Sequence, residues 1–129
     1  MLEIGLTGEL RETVLEEKTA YACHSGGLKV YATPAMITLM ERAAYKSVEK
    51  YLEEGYSTVG TKVDIKHLSA TPIGMEVSAR AKLVEIDNRR LVFEVEAFDK
   101  LGKIGEGKHE RFIIDIEKFQ AKTDNKNLK

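Results

Sequence analysis

Several residue types and patterns are scarce in this sequence of 129 residues, which has two prolines, no tryptophan and one cysteine, Cys23. A lone cysteine excludes a disulfide framework within the chain and fits a reducing compartment. Residues 1–10 alternate between apolar and polar types and include acidic side chains, unlike the apolar segment of a signal peptide. No apolar run approaches the length of a membrane span. We therefore expect a cytoplasmic protein without a membrane partner.

An excess of charge of one sign is also absent, because 20 basic residues stand against 21 acidic ones, a formal net charge of −1. No global field favours nucleic acid, so no nucleic-acid partner is expected. The sequence has no Gly-x-Ser-x-Gly elbow, phosphate-binding glycine loop or dinucleotide fingerprint. His24, His67 and His109 lie far apart without the spacing of metal ligands, so no metal site is predicted.

What is present is the composition of an ordinary folded domain, 43% apolar and 32% charged. The length suffices for one hydrophobic core, and neither a repeat nor a linker divides the chain. We predict a single domain over residues 1–120 and a polar C-terminal tail over 121–129. The stretch from Lys118 onward carries four lysines and two asparagines, which predicts a partly frayed end.

Residues 34–53 have the pattern of one amphipathic helix. Thr33 is suited to be its N-cap, Pro34 suits the first helical position, and Gly55 is a stop signal. Residues that share one side at 100° per residue are mostly small or apolar: Met36, Met40, Ala43, Ala44, Ser47, Val48 and Tyr51. This pattern predicts a helix of about five turns.

Residues 57–116 alternate like consecutive strands, after one or two short strands in 2–17 and a loop in 18–32. One predicted inward face consists of Met75, Val77, Ala79, Ala81 and Leu83, and another of Val59, Thr61, Val63 and Ile65. Strands this close in sequence are expected to pair as an antiparallel meander. A helix with one apolar side and a sheet with one apolar face bury these surfaces by packing against each other as two layers. This predicts an α+β domain with the sheet wrapped around the helix.

Three polar residues occupy positions where chemistry is possible. His67 lies on the same predicted inward face as Ile65, at the end of the strand. It is either a histidine at the edge of the core whose ring is hydrogen-bonded to a backbone group, or a general acid or base at the mouth of a pocket. Glu41 lies at the margin of the helix's apolar face. It is either a boundary residue that reaches water or a half-buried carboxylate, and a half-buried carboxylate is suited to proton transfer or to attack on an acyl carbon. Thr33 is suited to a structural role as the N-cap of the helix, and its spacing from the other residues does not decide whether it also has a catalytic role.

The distance between Thr33 and Glu41 restricts how they share a site. If residues 33 to 41 form a straight helix, their Cα atoms lie about 12 Å apart along its axis. Either residues 33–36 form a turn, or the site combines residues of two subunits.

Several segments together resemble a known family over nearly all of residues 10–120. They are Tyr31–Glu41 (YATPAMITLME), Thr58–Thr61 (TVGT), His67–Gly74 (HLSATPIG), Gly107–Arg111 (GKHER) and Glu117–Phe119 (EKF). Their order and spacing are similar to those of the fluoroacetyl-CoA thioesterase group of hot-dog-fold proteins.

The resemblance implies a hot-dog acyl-CoA thioesterase, a homodimer or dimer of dimers, that hydrolyses a small or medium acyl thioester. It implies catalytic roles for Thr33, Glu41 and His67, and substrate binding by Gly60 and Arg111. A backbone N–H near Gly60 is the expected oxyanion donor, and Arg111 is expected to meet the anionic part of coenzyme A. No cofactor is implied, since the reaction needs only a nucleophile or activated water, proton transfer and an oxyanion donor.

The loop from Thr19 to Tyr31 departs from the family pattern, because it lacks an aromatic-bearing insertion and has only Tyr21 and Tyr31 as aromatics. The resemblance therefore implies the reaction but not the acyl group. One alternative is a hot-dog protein that binds acyl-CoA or another small metabolite without turnover. Another is a hydratase or dehydratase acting on enoyl or hydroxyacyl thioesters, whose usual Asp/His pair the sequence lacks.

Overall fold

The computed structural model describes residues 1–128 and contains one long helix, five strands and a C-terminal helix. The elements are β1 (Thr7–Thr13), α1 (Thr33–Glu49), β2 (Tyr56–His67), β3 (Glu76–Asp87), β4 (Arg90–Asp99), β5 (Gly102–Asp115) and α2 (Ile116–Asp124). Short 3-10 turns lie at Glu16–Lys18 and Asn125–Leu128. Within the described residues no helix has the length and hydropathy needed to cross a bilayer.

The five strands form one antiparallel sheet in the order β1-β3-β4-β5-β2. Strands β3, β4 and β5 form the predicted meander, but β2 pairs with β5 instead of β3, so its place in the meander was predicted wrongly. The connection after β2 is much longer than a hairpin turn and crosses the end of the sheet. Within this connection, Pro72 bridges to Val30 and the Thr71 carbonyl accepts the Tyr31 N–H, which ties it to the loop before α1.

The core lies between α1 and the inner face of the sheet. The buried helix residues include six of the seven on the predicted apolar side, namely Met36, Met40, Ala43, Ala44, Ser47 and Val48. Ala35 and Leu39 are buried as well, whereas Tyr51 was wrongly included, because it lies beyond the end of α1 and is only partly buried. The buried sheet residues include Val77, Ala79, Ala81 and Leu83 of β3, and Leu91, Phe93, Val95 and Ala97 of β4. Gly8 of β1 lies so close to the Ala43 carbonyl that a Cβ atom there would clash. Small residues on both elements therefore let α1 lie close to the sheet.

Both ends of α1 differ from the prediction. Ala32 is the N-cap, without a side-chain cap bond, and Thr33 is the first helical residue. Thr33 was wrongly predicted as the cap because its hydroxyl bonds to a side chain outside the helix. The helix ends at Glu49 instead of residue 53, and the last turn tightens through a bond from the Tyr51 N–H to the Val48 carbonyl.

A β-bulge divides β2, because its register with β5 shifts between Gly60 and Lys62. Gly60 pairs with the buried Arg111, and Val63 pairs with the buried His109, so both partners of β5 face inward. The inward face after the bulge is therefore Val63, Ile65 and His67, as predicted. Val59 and Thr61 were wrongly predicted to share it, because the extra residue in a bulge reverses the alternation.

The C-terminal segment is helical where fraying was predicted. The Asp115 side chain accepts the Lys118 N–H and caps α2, which satisfies one of the free donors of the first turn. The prediction of a frayed end from Lys118 is therefore wrong over the described residues, and Lys129 lies outside them. Helix α2 spans residue 120, the predicted boundary between domain and tail.

Candidate active site

Thr33 and His67 form a contact at the N-terminal end of α1. Thr33 Oγ1 lies 2.7 Å from His67 Nδ1, which joins the first helical residue to the last residue of β2. His67 Nε2 is buried without a hydrogen-bond partner in the described part of the chain. Burial lowers the pKa of His67, and a backbone interaction at Ser69 partly offsets this, so the ring is neutral near pH 7. A neutral ring with a free nitrogen is suited to take or give a proton.

A pocket of about 300 Å³ opens beside this pair. The loop before α1 and the segment after β2 form its wall, which is lined by Ala20, Ser25, Val30, Tyr31, Thr33, His67, Leu68, Ser69 and Ala70. The lining is mainly small and apolar, with Thr33 and His67 as its reactive groups. The pocket therefore suits an apolar group of moderate size next to an imidazole.

A second polar cluster lies further along α1, where Glu41 faces the bulge of β2. A Cβ atom added to Gly60 would be 3.0 Å from Glu41 Oε2, so glycine leaves the room that the carboxylate needs to lie against the strand in this position. Arg111 Nη1 is 4.0 Å from the same oxygen. The Glu41 side chain is 40% exposed and that of Arg111 is 9% exposed, so a half-open carboxylate lies over a buried cation.

Arg111 is held by side-chain and backbone acceptors on two strands. Its Nε donates to Thr58 Oγ1 at 2.8 Å, its Nη2 to the Thr58 carbonyl at 3.0 Å, and its Nη1 to His109 Nε2 at 3.1 Å. Its guanidinium carbon also lies 5.8 Å from the centre of the Tyr45 ring. Burial lowers the pKa of Arg111 and Glu41 opposes that shift, so the guanidinium stays charged. These bonds fix its position beneath Glu41.

The structure divides the predicted site residues into two groups. It brings Thr33 together with His67, and Gly60 together with Glu41 and Arg111. Because α1 is helical from Thr33 onward, the two groups lie about 12 Å apart along its axis. The option of a turn at residues 33–36 is therefore wrong, and the two-subunit option remains.

His109 belongs to the second cluster and was given no role from the sequence. It lies two residues before Arg111 on β5, and both side chains face the core. Two polar residues at alternate positions of one inward strand face were the available indication, because buried polar groups need partners. Among residues 1–128, no three His, Cys, Asp or Glu side chains are grouped to hold a metal ion.

A five-stranded antiparallel sheet around one long helix is the hot-dog architecture, and solved thioesterases of this class superpose closely. A crystal structure of the fluoroacetyl-CoA thioesterase FlK matches with a TM-score of 0.91 and 34% identity, covering 98% of both chains. A thioesterase superfamily member from Thermus thermophilus matches with a TM-score of 0.91 and 30% identity, covering 98% of this chain and 94% of that one. The fold thus confirms the predicted α+β hot-dog class.

The sequence comparisons identify the particular family. The family described as fluoroacetyl-CoA-specific thioesterase matches residues 14–117. The fluoroacetyl-CoA thioesterase of Streptantibioticus cattleyicolor is 42% identical over 98 residues, which are 76% of this chain and 70% of that protein. The chain therefore belongs to the fluoroacetyl-CoA-specific thioesterase family, and the predicted enzyme class, a thioester hydrolase acting on acyl-CoA, is confirmed.

Proposed function

We propose that this chain hydrolyses acyl-CoA thioesters at a site assembled from two protomers of a homodimer. Thr33 and His67 come from one protomer, and Glu41, Gly60 and Arg111 come from the other. The observation that carries the proposal is the division of these five residues into two groups, which one continuous helix keeps apart. Neither group alone supplies both a carboxylate and an imidazole with a free nitrogen, the pair that acid–base hydrolysis of a thioester uses, because both nitrogens of His109 are engaged.

The free edge of β2 offers a surface for the second protomer. It is an outer strand of twelve residues, and such an edge has unpaired backbone groups that favour pairing with another strand. If β2 pairs antiparallel with its copy about a two-fold axis at Asp64, the midpoint of the register between Gly60 and His67, then His67 lies opposite Gly60 of the partner subunit. This arrangement covers Val63, whose side chain is half exposed. It also brings the two groups of site residues together.

In the proposed mechanism, Glu41 attacks the thioester carbonyl or orients a water molecule that does so. When Glu41 attacks, the carbonyl carbon–sulfur bond breaks as an acyl–Glu41 anhydride forms, and water then hydrolyses the anhydride and frees Glu41; when water attacks, Glu41 takes its proton. In both routes water supplies the oxygen of the product carboxylate. Neutral His67, with its proton on Nε2 and Nδ1 accepting from the Thr33 hydroxyl, gives that proton to the leaving thiolate, and a proton released from the water replaces it. Thr33 orients the imidazole through Nδ1. A backbone N–H near Gly60 is the proposed donor to the oxyanion, since glycine permits close approach of the substrate.

Arg111 has a more specific role in this proposal than an anchor for coenzyme A phosphates. Its side chain is buried, and three of its hydrogen bonds go to Thr58 and His109. Its remaining Nη1 hydrogen is available toward Glu41. We therefore assign Arg111 to holding the carboxylate of Glu41 in position.

The proposed substrates are small or medium acyl-CoA molecules. The pocket beside Thr33 and His67 has room for a short acyl chain, and the loop that borders it carries small side chains such as Ala20 and Ser25. A dimer of dimers and a cytoplasmic location rest on the sequence and stay predictions. A panel of acyl-CoA molecules of increasing chain length, with thiol release as the readout, identifies the preferred acyl group.

Subunit mixing tests the shared site directly. Glu41→Ala and His67→Ala are each expected to abolish thiol release. After exchange of subunits between these two variants, about a quarter of the wild-type rate returns, because half of the dimers are mixed and each mixed dimer has one intact site. Native mass spectrometry checks that mixed dimers form.

The matched control mixes Thr33→Ala with His67→Ala, which alter the same half of the site. No activity is expected to return in that mixture, because every site then contains one of the two changes. If mixing Glu41→Ala with His67→Ala also restores nothing although mixed dimers are present, the two-protomer site is wrong. Tight binding of acyl-CoA by the wild type with no thiol release instead supports the binding-protein alternative.

A further inference from the structure

His109 is a buried titratable group that no step of the proposed hydrolysis uses. Its side chain lies on β5 and is 1% exposed. Its ring stacks on Phe93, with the ring centres 6.3 Å apart. A buried imidazole between an aromatic ring and an arginine carries a desolvation penalty unless its nitrogens have partners. Both of its nitrogens do.

The two partners of His109 fix its tautomer. Nδ1 lies 2.8 Å from the Lys62 carbonyl, which only accepts, so Nδ1 carries the proton. Nε2 lies 3.1 Å from Arg111 Nη1, which only donates, so Nε2 presents its lone pair. The ring is therefore neutral, in agreement with the lowered pKa that its burial causes.

The position of His109 links the bulge of β2 to the guanidinium of Arg111. The Lys62 carbonyl stands at one side of the register shift, and Gly60 stands at the other. A Cβ atom on Gly60 would be 3.2 Å from His109 Cε1, so the ring also packs beneath the glycine. Bulged strands tolerate several local geometries, and a side chain that bonds to the bulge selects one of them. One imidazole thus touches the bulge, the glycine and the arginine.

We propose that His109 is a positioning residue: held by the β2 bulge through Nδ1, it accepts from Arg111 through Nε2 and so directs the free Nη1 hydrogen of the guanidinium to Glu41. Its effect on turnover rests on the proposed function, in which Glu41 acts on the thioester. Without the acceptor at Nε2, the guanidinium loses one of the contacts that hold it and the carboxylate above it loses its fixed charge partner. Misplacement of a reacting group by about 1 Å lowers turnover roughly 10²-fold.

Two amide variants separate the two contacts of His109. His109→Gln places an amide oxygen near the position of Nε2 and keeps an acceptor for Arg111. His109→Asn places an amide nitrogen near the position of Nδ1 and keeps only the bond to Lys62. We expect His109→Gln to retain most of the wild-type kcat, and His109→Asn to lose roughly 10²-fold in kcat with little change in KM.

Val77→Ala is the control for a loss of stability without a loss of positioning. Val77 is buried in β3, and its truncation lowers the Tm by leaving a cavity. We expect this variant to keep its kcat below its Tm. If His109→Gln and His109→Asn lose kcat equally, or if His109→Asn loses no more than Val77→Ala, the positioning role is wrong.

Nitrogen-15 NMR gives a readout that does not depend on turnover. The wild type is expected to show the Nδ1–H tautomer at His109 and a slowly exchanging Arg111 side chain. The arginine protection persists in His109→Gln and is lost in His109→Asn. If the wild type does not release thiol from any acyl-CoA tested, the proposed function is refuted. The NMR spectra still decide the role of His109 in that case. An Nε2–H tautomer at His109 overturns the positioning role.

Discussion

Burial decides the protonation state of two histidines at the scale of single residues. His67 and His109 both have a pKa below the ordinary value of 6.5, mainly because burial disfavours the charged ring. In each case a backbone interaction opposes the shift without reversing it. Two neutral imidazoles are therefore part of the folded state at pH 7.

This state predicts a loss of stability in weak acid. The unfolded chain binds protons at these two histidines near pH 6.5, whereas the folded chain resists them until the pH is lower, so stability rises with pH in this window. We expect the Tm to fall as the pH is lowered from 7 to 5, above the ordinary carboxyl pKa of 4.5. Differential scanning calorimetry of wild type and His109→Gln checks this, since the variant removes one of the two groups and is expected to lose less. A Tm that is constant or rises toward pH 5 contradicts the prediction.

At the scale of secondary-structure elements, the bulge of β2 has the largest effect on the candidate site. Gly60 stands at the register shift, and its missing Cβ leaves room for Glu41 Oε2 and His109 Cε1. Glycine is used here for close approach, because its backbone is not in the left-handed region. The bulge also turns Thr58 and Gly60 inward instead of Val59 and Thr61.

Gly60→Ala is therefore expected to lower kcat more than it lowers stability. The added methyl group contacts the Glu41 carboxylate at 3.0 Å, tighter than an ordinary contact, and the half-exposed carboxylate is the group free to move. We expect roughly a 10²-fold loss of kcat, measured by thiol release, with a Tm shift of a few degrees. Gly27→Ala is the matched control, since an added Cβ there meets nothing within 4 Å. Wild-type turnover in Gly60→Ala contradicts the placement of Glu41.

The cap of α2 gives a prediction on stability alone. Asp115→Ala removes the acceptor for the Lys118 N–H and is expected to lower the free energy of unfolding by about 1 kcal/mol. Asp115→Asn keeps a side-chain acceptor and is expected to lose less. Chemical denaturation measures both, and thiol release stays at the wild-type rate in both because α2 lies outside the site. Equal stability of the alanine and asparagine variants argues against the cap.

Assembly is the feature of the whole molecule on which the proposed chemistry depends. The order of strands leaves β2 at an edge, with Val63 46% exposed in its middle. An open, long edge strand is unfavourable for an isolated chain and favourable for pairing with a copy. Pairing there is what places Thr33 and His67 near Glu41 of the partner subunit in the proposed site.

Val63→Asp is expected to disrupt this pairing and the activity together. In this pairing, position 63 lies beside the two-fold axis and opposite Ile65 of the partner subunit, so pairing of the strands buries the introduced carboxylate against an apolar side chain without a partner. Sedimentation equilibrium is expected to show a shift from dimer to monomer, and thiol release falls in proportion to the dimer lost. Leu101→Asp is the matched control, because Leu101 is 87% exposed in the turn between β4 and β5. A fully active Val63→Asp monomer refutes the shared site.

The sequence by itself determined the two layers of this fold, the helix α1 and the sheet that packs against it. Periodicity alone found α1 and its buried face, and alternation found the inner face of β3, because each pattern reports local exposure to water. The pattern of segments also led to the family and to the reaction. These features depend on residues near one another along the chain.

Only the tertiary structure decided how distant residues meet. The pairing of β2 with β5, the bulge at Gly60 and the use of Thr33 by His67 depend on contacts between segments far apart in sequence. Local periodicity and capping preferences carry no information on such contacts, so they assigned Thr33 to a cap and overlooked His109. The straight course of α1 likewise settled that Thr33 and Glu41 of one chain stay apart, because a helix rises by a fixed 1.5 Å for each residue.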